Sequence, residues 1–252
     1  MDVGVLGSFL VPVSSALAAF GFLPLARRAG FVDHPNARKQ HGTPVPLIGG
    51  AVVFVGLMMA GLATGLWHGD GWGWFLAGAI ILTTVGILDD IHDISARWRF
   101  LIQGVTVAAA CALSGVYIND LGMLLGEEVL VLGLGFGLFF TVVCALACIN
   151  AYNMVDGIDG LAGGVTLVTL SGVAILSVAA GQTNTGLFAA LAGLALVVYL
   201  LFNLEIPLLR GYKMFLGDGG SNLLGFLVLW MVVAGSQRDG SFAPVVAVWL
   251  PG

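Results

Sequence analysis

The chain has 252 residues, of which 59% are hydrophobic and 9% charged, with a mean hydropathy of +1.03. A soluble domain carries about 25% charged residues, so this composition excludes one. The net charge of −5 says little about partners, because the charges are sorted by loop; no nucleic-acid partner is expected.

Apolar stretches near twenty residues recur along the whole length. An all-α, polytopic transmembrane helix bundle is therefore expected, embedded in membrane lipid. The first run lacks a basic leader and is followed by Arg27 and Arg28, so it reads as a span rather than a cleaved signal. Spans are predicted near 3–26, 47–67, 72–88, 99–117, 129–149, 161–179, 187–203 and 220–236. A partial ninth begins near Phe242. Cys111, Cys144 and Cys148 fall inside these runs and read as small buried hydrophobes.

The connections alternate sides. Arg27, Arg28, Arg38, Lys39, Arg97, Arg99, Arg210 and Lys213 lie in or beside the loops 27–46, 89–98, 150–160 and 204–219. Only Arg238 falls in the other set, 68–71, 118–128, 180–186 and 237–241. The positive-inside rule then puts the first set in the cytoplasm and the N-terminus outside. The sequence stops at "VWLPG", where the ninth run has had room to rise only about 16 Å as a helix. A fragment, or a truncated product, is the expectation.

The unusual polar clusters all fall on the predicted cytoplasmic side. In "VDHPNARKQHGTPVPLIGG" (32–50) prolines and glycines rule out a regular helix across most of the segment, and Lys39 and His41 suit an anion. In "ILDDIHDISARWRF" (87–100), Asp89 and Asp93 would share one helix face. Clustered acids at a membrane edge need a cation or a function. In "NAYNMVDGIDGLAGG" (150–164), Asn153, Asp156 and Gly160 are spaced to share one side of a helix, with Asp159 on a neighbouring stripe. In "YKMFLGDGGSNLLGF" (212–226), Asp218 stands between glycines just before a span, with Phe215 nearby. Carboxylates and an amide on one face suit Mg²⁺, or Mn²⁺, bridging to phosphates. With nearby lysine they fit phosphoryl transfer between a soluble nucleotide and a lipid phosphate.

At these motifs the chain resembles the polyprenyl-phosphate N-acetylhexosamine-1-phosphate transferases, of glycosyltransferase 4 type. "VDHPNARKQHGTPVPLIGG", "GILDDIHDIS", "NAYNMVDGIDGLAGG", "FNLEIP" and "KMFLGDGGSNLLGF" stand in family order. "PNARK" and "NMVDGIDGL" look closer to the undecaprenyl-phosphate N-acetylglucosamine-1-phosphate transferases, which start O-antigen, common-antigen or teichoic-acid-type polymers. The resemblance implies a single transferase domain over 1–252 in a bacterial inner membrane. It implies a UDP-N-acetylhexosamine donor, an undecaprenyl phosphate acceptor, Mg²⁺ and released UMP, and it admits a homodimer. Asp89 and Asp90 would serve the acceptor phosphate and Lys39 would contact phosphate. Asn153 and Asp218 would hold Mg²⁺, and Asp156 would support the metal or the transfer. Asp159 and Phe215 would form a nucleoside-binding edge. The family also carries a later His-rich loop and further spans beyond the point where this sequence stops. Two other classes stay open at this stage: a cation-coupled transporter, and an inactive truncated scaffold.

Overall fold

The computed structural model describes residues 3–33, 44–69, 71–124 and 127–247. Eight long helices carry the fold, each on one of the predicted spans: α1 (Val3–Ala29), α2 (Gly49–Thr64), α3 (Trp72–His92), α4 (Ala96–Ser114), α5 (Gly133–Val155), α6 (Leu161–Ala179), α7 (Thr183–Asn203) and α8 (Gly217–Val233). Among the described residues the regular strands are the two-residue β1 (Val32–Asp33) and β2 (Val45–Pro46), paired antiparallel. Six segments are long and apolar enough to cross a membrane: α1, α3, α5, α6, α7, and α8 together with the π turn Ala234–Arg238 that extends it. Helix α2 is apolar but shorter, and α4 opens with Arg97 and Arg99. The protein is thus an all-α, multi-pass membrane bundle.

Several ends differ from the hydropathy reading. Helix α5 runs through Val155 rather than stopping at 149, so Asn150 and Asn153 are helical. Asp156 closes α5, and Gly160 starts α6 with a left-handed φ of 77°. Asn153, Asp156 and Gly160 therefore do not share one helix. Helix α3 stops at His92. Asp93 sits beyond its end in the left-handed region (φ 53°), off the face of Asp89. Asp218 lies inside the first turn of α8, not in the loop before it. The ninth run begins as a four-residue helix, α9 (Pro244–Ala247); residues 248–252 lie outside the described residues.

Helix α8 is the axis of the bundle. It packs against α2, α3, α5 and α6, and 94% of its apolar window is buried. A helix apolar on all sides belongs in such a position. Its close neighbours require small residues. A methyl group on Gly219 would stand 2.8 Å from Ile87 Cγ1 and 3.0 Å from the Thr83 carbonyl on α3. One on Gly225 would stand 2.6 Å from Ile149 Cα on α5. Without lipid-excluded water to drive association, such backbone approach supplies the contact energy. It also fixes how the polar ends of α3, α5 and α8 meet.

Candidate active site

Asp89 and Asp90 stand in the last turn of α3. Asp89 is buried and both its oxygens are engaged. Oδ1 accepts the Ile94 amide at 2.7 Å, and Oδ2 accepts Arg99 Nη1 at 2.5 Å. The first bond holds the turn into α4, and the second aims Arg99 inward. The same guanidinium nitrogen lies 3.5 Å from Asp218 Oδ2. Asp90 turns to α8: its two oxygens accept the Asp218 amide at 3.1 and 3.0 Å. A helix leaves its first amides unpaired and positive, so this carboxylate suits the start of α8.

Asn153 comes from α5, one turn beyond the Ile149–Gly225 crossing. Its Nδ2 donates to Asp218 Oδ1 at 2.5 Å and to Ser221 Oγ at 3.2 Å. Asp156, half-buried beyond the end of α5, has its carboxyl pushed up to about 8. Burial is the main cause, followed by the charges of Asp218, Asp90 and Asp159. Asp89, Asp90, Asn153, Asp156 and Asp218 are thus brought to one end of the bundle, as the motifs led one to expect. Of the four carboxylates, Asp89 and Asp218 share the Arg99 guanidinium.

A second group adjoins the first through Asp156. Asp159 pairs with Lys213 at 2.5 Å, and the Lys213 ammonium lies 5.3 Å from the centre of the Phe215 ring. The main chain of Phe215 is held on both sides: its amide donates to Pro46 O at 2.9 Å, and its carbonyl accepts the Gly49 amide at 2.8 Å. Lys39 and its neighbours Arg38 and His41 lie outside the described residues.

Three residues of the site were not singled out from the sequence. Arg99 and Lys213 read as membrane-edge charges, yet each stands against a site carboxylate. Asn203, buried at the end of α7, accepts the Gly160 amide at 2.6 Å and donates to Met214 O at 3.0 Å. It thereby ties the Asp156–Gly160 turn to the segment carrying Phe215. A lone amide ending the apolar run 187–202 was the available signal.

Among the described residues no group of three or more His, Cys, Asp or Glu side chains forms a metal cage. Mg²⁺ does not need one. It is bound through one or two carboxylates with waters and substrate phosphates completing its shell. An oxygen-only donor set with excess negative charge fits that cation. Asn153 presents its NH₂ to Asp218, so contributing its oxygen requires the amide to turn over.

The profile of glycosyl transferase family 4 matches residues 72–236. The chain is 39% identical over 241 residues to the undecaprenyl-phosphate alpha-N-acetylglucosaminyl 1-phosphate transferase of Yersinia pestis, a match covering 93% of this chain and 65% of that protein. To the protein of the same name from Escherichia coli K12 it is 37% identical over 228 residues, 90% of this chain and 61% of that one. To the Haemophilus influenzae protein it is 38% identical over 248 residues, 98% of this chain and 69% of that one. The chain thus spans less than two thirds of the length of the first two. With the Asp89–Asp90, Asn153–Asp156 and Asp218 motifs all inside the matched region, the chain belongs to glycosyl transferase family 4.

Proposed function

We propose that this protein transfers N-acetylglucosamine-1-phosphate from a UDP-sugar to undecaprenyl phosphate, releasing UMP, as the first membrane step of cell-surface polysaccharide synthesis. The observation that carries it is the convergence of Asp89, Asp90, Asn153, Asp156 and Asp218 with Arg99 at one end of the bundle. The single transferase domain has eight spans with its N-terminus outside. The site then opens on the cytoplasmic side of a bacterial inner membrane, where soluble nucleotide and lipid phosphate meet. The basic loops and the relatives' shared description support this placement.

In the transfer, an oxygen of the acceptor phosphate attacks the sugar-bearing phosphorus of the donor. The bond to the bridging oxygen breaks, and that oxygen leaves with UMP. The acceptor is already largely ionised at neutral pH, so it needs alignment more than a base. Asp89 therefore acts by holding Arg99, whose charge faces the incoming phosphate. Asp90 holds the start of α8 and with it Asp218. Asn153 and Asp218 would bind Mg²⁺, or Mn²⁺, with Asp156 beside them. Bound there, the cation would neutralise the pyrophosphate and stabilise the departing UMP. Phe215 would offer its ring to uracil, with the Lys213 ammonium over one face and Asp159 paired to that ammonium, and Lys39 would contact phosphate.

A cation-coupled transporter is disfavoured, since its acids would gather near the midplane between repeated halves. The test is exchange of labelled UMP into UDP-GlcNAc by purified protein. Exchange that requires both undecaprenyl phosphate and Mg²⁺ is expected. Folded protein that gives none under those conditions overturns the reading.

A further inference from the structure

One helical turn deeper than the acidic cluster lies a layer of amides. Gln103 Nε2 donates to Asn222 Oδ1 at 3.1 Å, and both residues are buried. Asn222 Nδ2 donates to the Leu82 carbonyl at 3.3 Å. Asn150 Nδ2 reaches Gln103 Oε1 at 3.5 Å and the Leu146 carbonyl at 2.7 Å. The layer joins α3, α4, α5 and α8. These are the helices that deliver Asp89 and Asp90, Arg99, Asn153, and Asp218.

The placement repeats on three of them. Gln103 stands one turn from Arg99, Asn222 one turn from Asp218, and Asn150 one turn from Asn153. We infer that Gln103 and Asn222, with Asn150 beside them, are positioning residues that hold α4, α5 and α8 in the register the transfer requires. The inference rests on the function proposed above. Apolar side chains of the same size would pack α8 as tightly, since Gly219 and Gly225 already bring its backbone against α3 and α5. What amides add is a specified register, the best-attested use of buried polar pairs. That register governs the 3.5 Å from Arg99 to Asp218 and the 2.5 Å from Asn153 to Asp218. Misplacement of reacting groups by about 1 Å can reduce a rate by roughly a hundredfold.

The test compares Asn222→Leu, Gln103→Met and the double variant with the wild type in detergent. Three quantities are read: exchange kinetics, melting temperature, and the Mg²⁺ concentration that half-raises that temperature. The single variants, each leaving a buried amide without its partner, should melt somewhat below wild type, and the double variant near or above it. The kcat should fall about tenfold, the half-effective Mg²⁺ concentration should rise, and KM for UDP-GlcNAc should stay within about twofold. The double variant should lose no more than either single one, because both break the same bond. Folded variants with kcat and Mg²⁺ response within twofold of wild type overturn the inference, as do losses that add. If Asn222→Leu does not fold, Gln103→Met decides alone. A wild type without exchange would sink the proposed function instead; the Mg²⁺ response of melting then decides whether the layer shapes the metal site.

Discussion

Asp89 is buried with its two oxygens on two different donors, the Ile94 amide and the Arg99 guanidinium, and this separates it from Asp90, whose oxygens share the Asp218 amide. Removing its charge breaks the pair with Arg99 and leaves the chain turn at Ile94 with a weaker acceptor. Asp89→Asn should therefore lose exchange and also lower the melting temperature, by less than a fully buried pair would, since the Arg99 left behind is a third exposed and keeps Asp218 at 3.5 Å. Asp218→Asn keeps the partners' geometry but removes the charge proposed to face the cation. It should lose about a hundredfold or more in exchange with little change in melting. Asp156 has a different signature. Its carboxyl titrates near 8 when folded and near 3.8 when unfolded, so the folded state retains a proton that the unfolded chain has released. Stability in the absence of divalent cation should then fall as pH rises from about 4 to about 8. Asp156→Asn should flatten that decline, and so should Mg²⁺. Melting curves across this range, with and without the cation, check both. At this scale residue type and sidedness sufficed to find the acids. They could not reveal Arg99 or Lys213 as partners, because a basic residue beside a membrane looks the same whether it faces headgroups or a carboxylate.

Helix existence was legible and helix ends were not. Each long helix lies on an apolar run, because burial in lipid leaves the backbone no other way to satisfy itself. The ends are decided by contacts hydropathy does not register. Helix α5 continues to Val155 because Asn153 has Asp218 and Ser221 to bond. Helix α8 starts at Gly217 because Asp90 receives its amide. The glycines of α8 belong to the same scale. In the fold the space beside Gly219 and Gly225 is filled by α3 and α5. Gly225→Ala should force the Ile149 backbone away and destabilise the bundle by about 1–3 kcal/mol, seen as a lower melting temperature. Gly164, with open space where a side chain would go, is the control: Gly164→Ala should leave melting unchanged or raised.

At the scale of the whole molecule, eight of nine basic residues lie on one predicted side, and the acidic cluster lies with them. Single cysteines report this directly. Ser95→Cys, in the exposed α3–α4 connection, should react with an impermeant thiol reagent only from the cytoplasmic side. Glu128→Cys, in the exposed α4–α5 connection, should react only from outside. Reversed labelling would turn the site away from the nucleotide. The centrality of α8 also imposes an order in time. It follows α1 to α7 in the chain, yet it fills the space between α2, α3, α5 and α6. While a ribosome is still making it, the earlier helices would sit in the bilayer around a vacant slot, with the Gln103 amide lacking the Asn222 oxygen it donates to. A bundle caught at that stage has every acid of α3 and the α5–α6 turn, but no Asp218. Until α8 is in place the acidic cluster is incomplete, and those earlier helices should depend on whatever shields nascent polar surfaces from lipid.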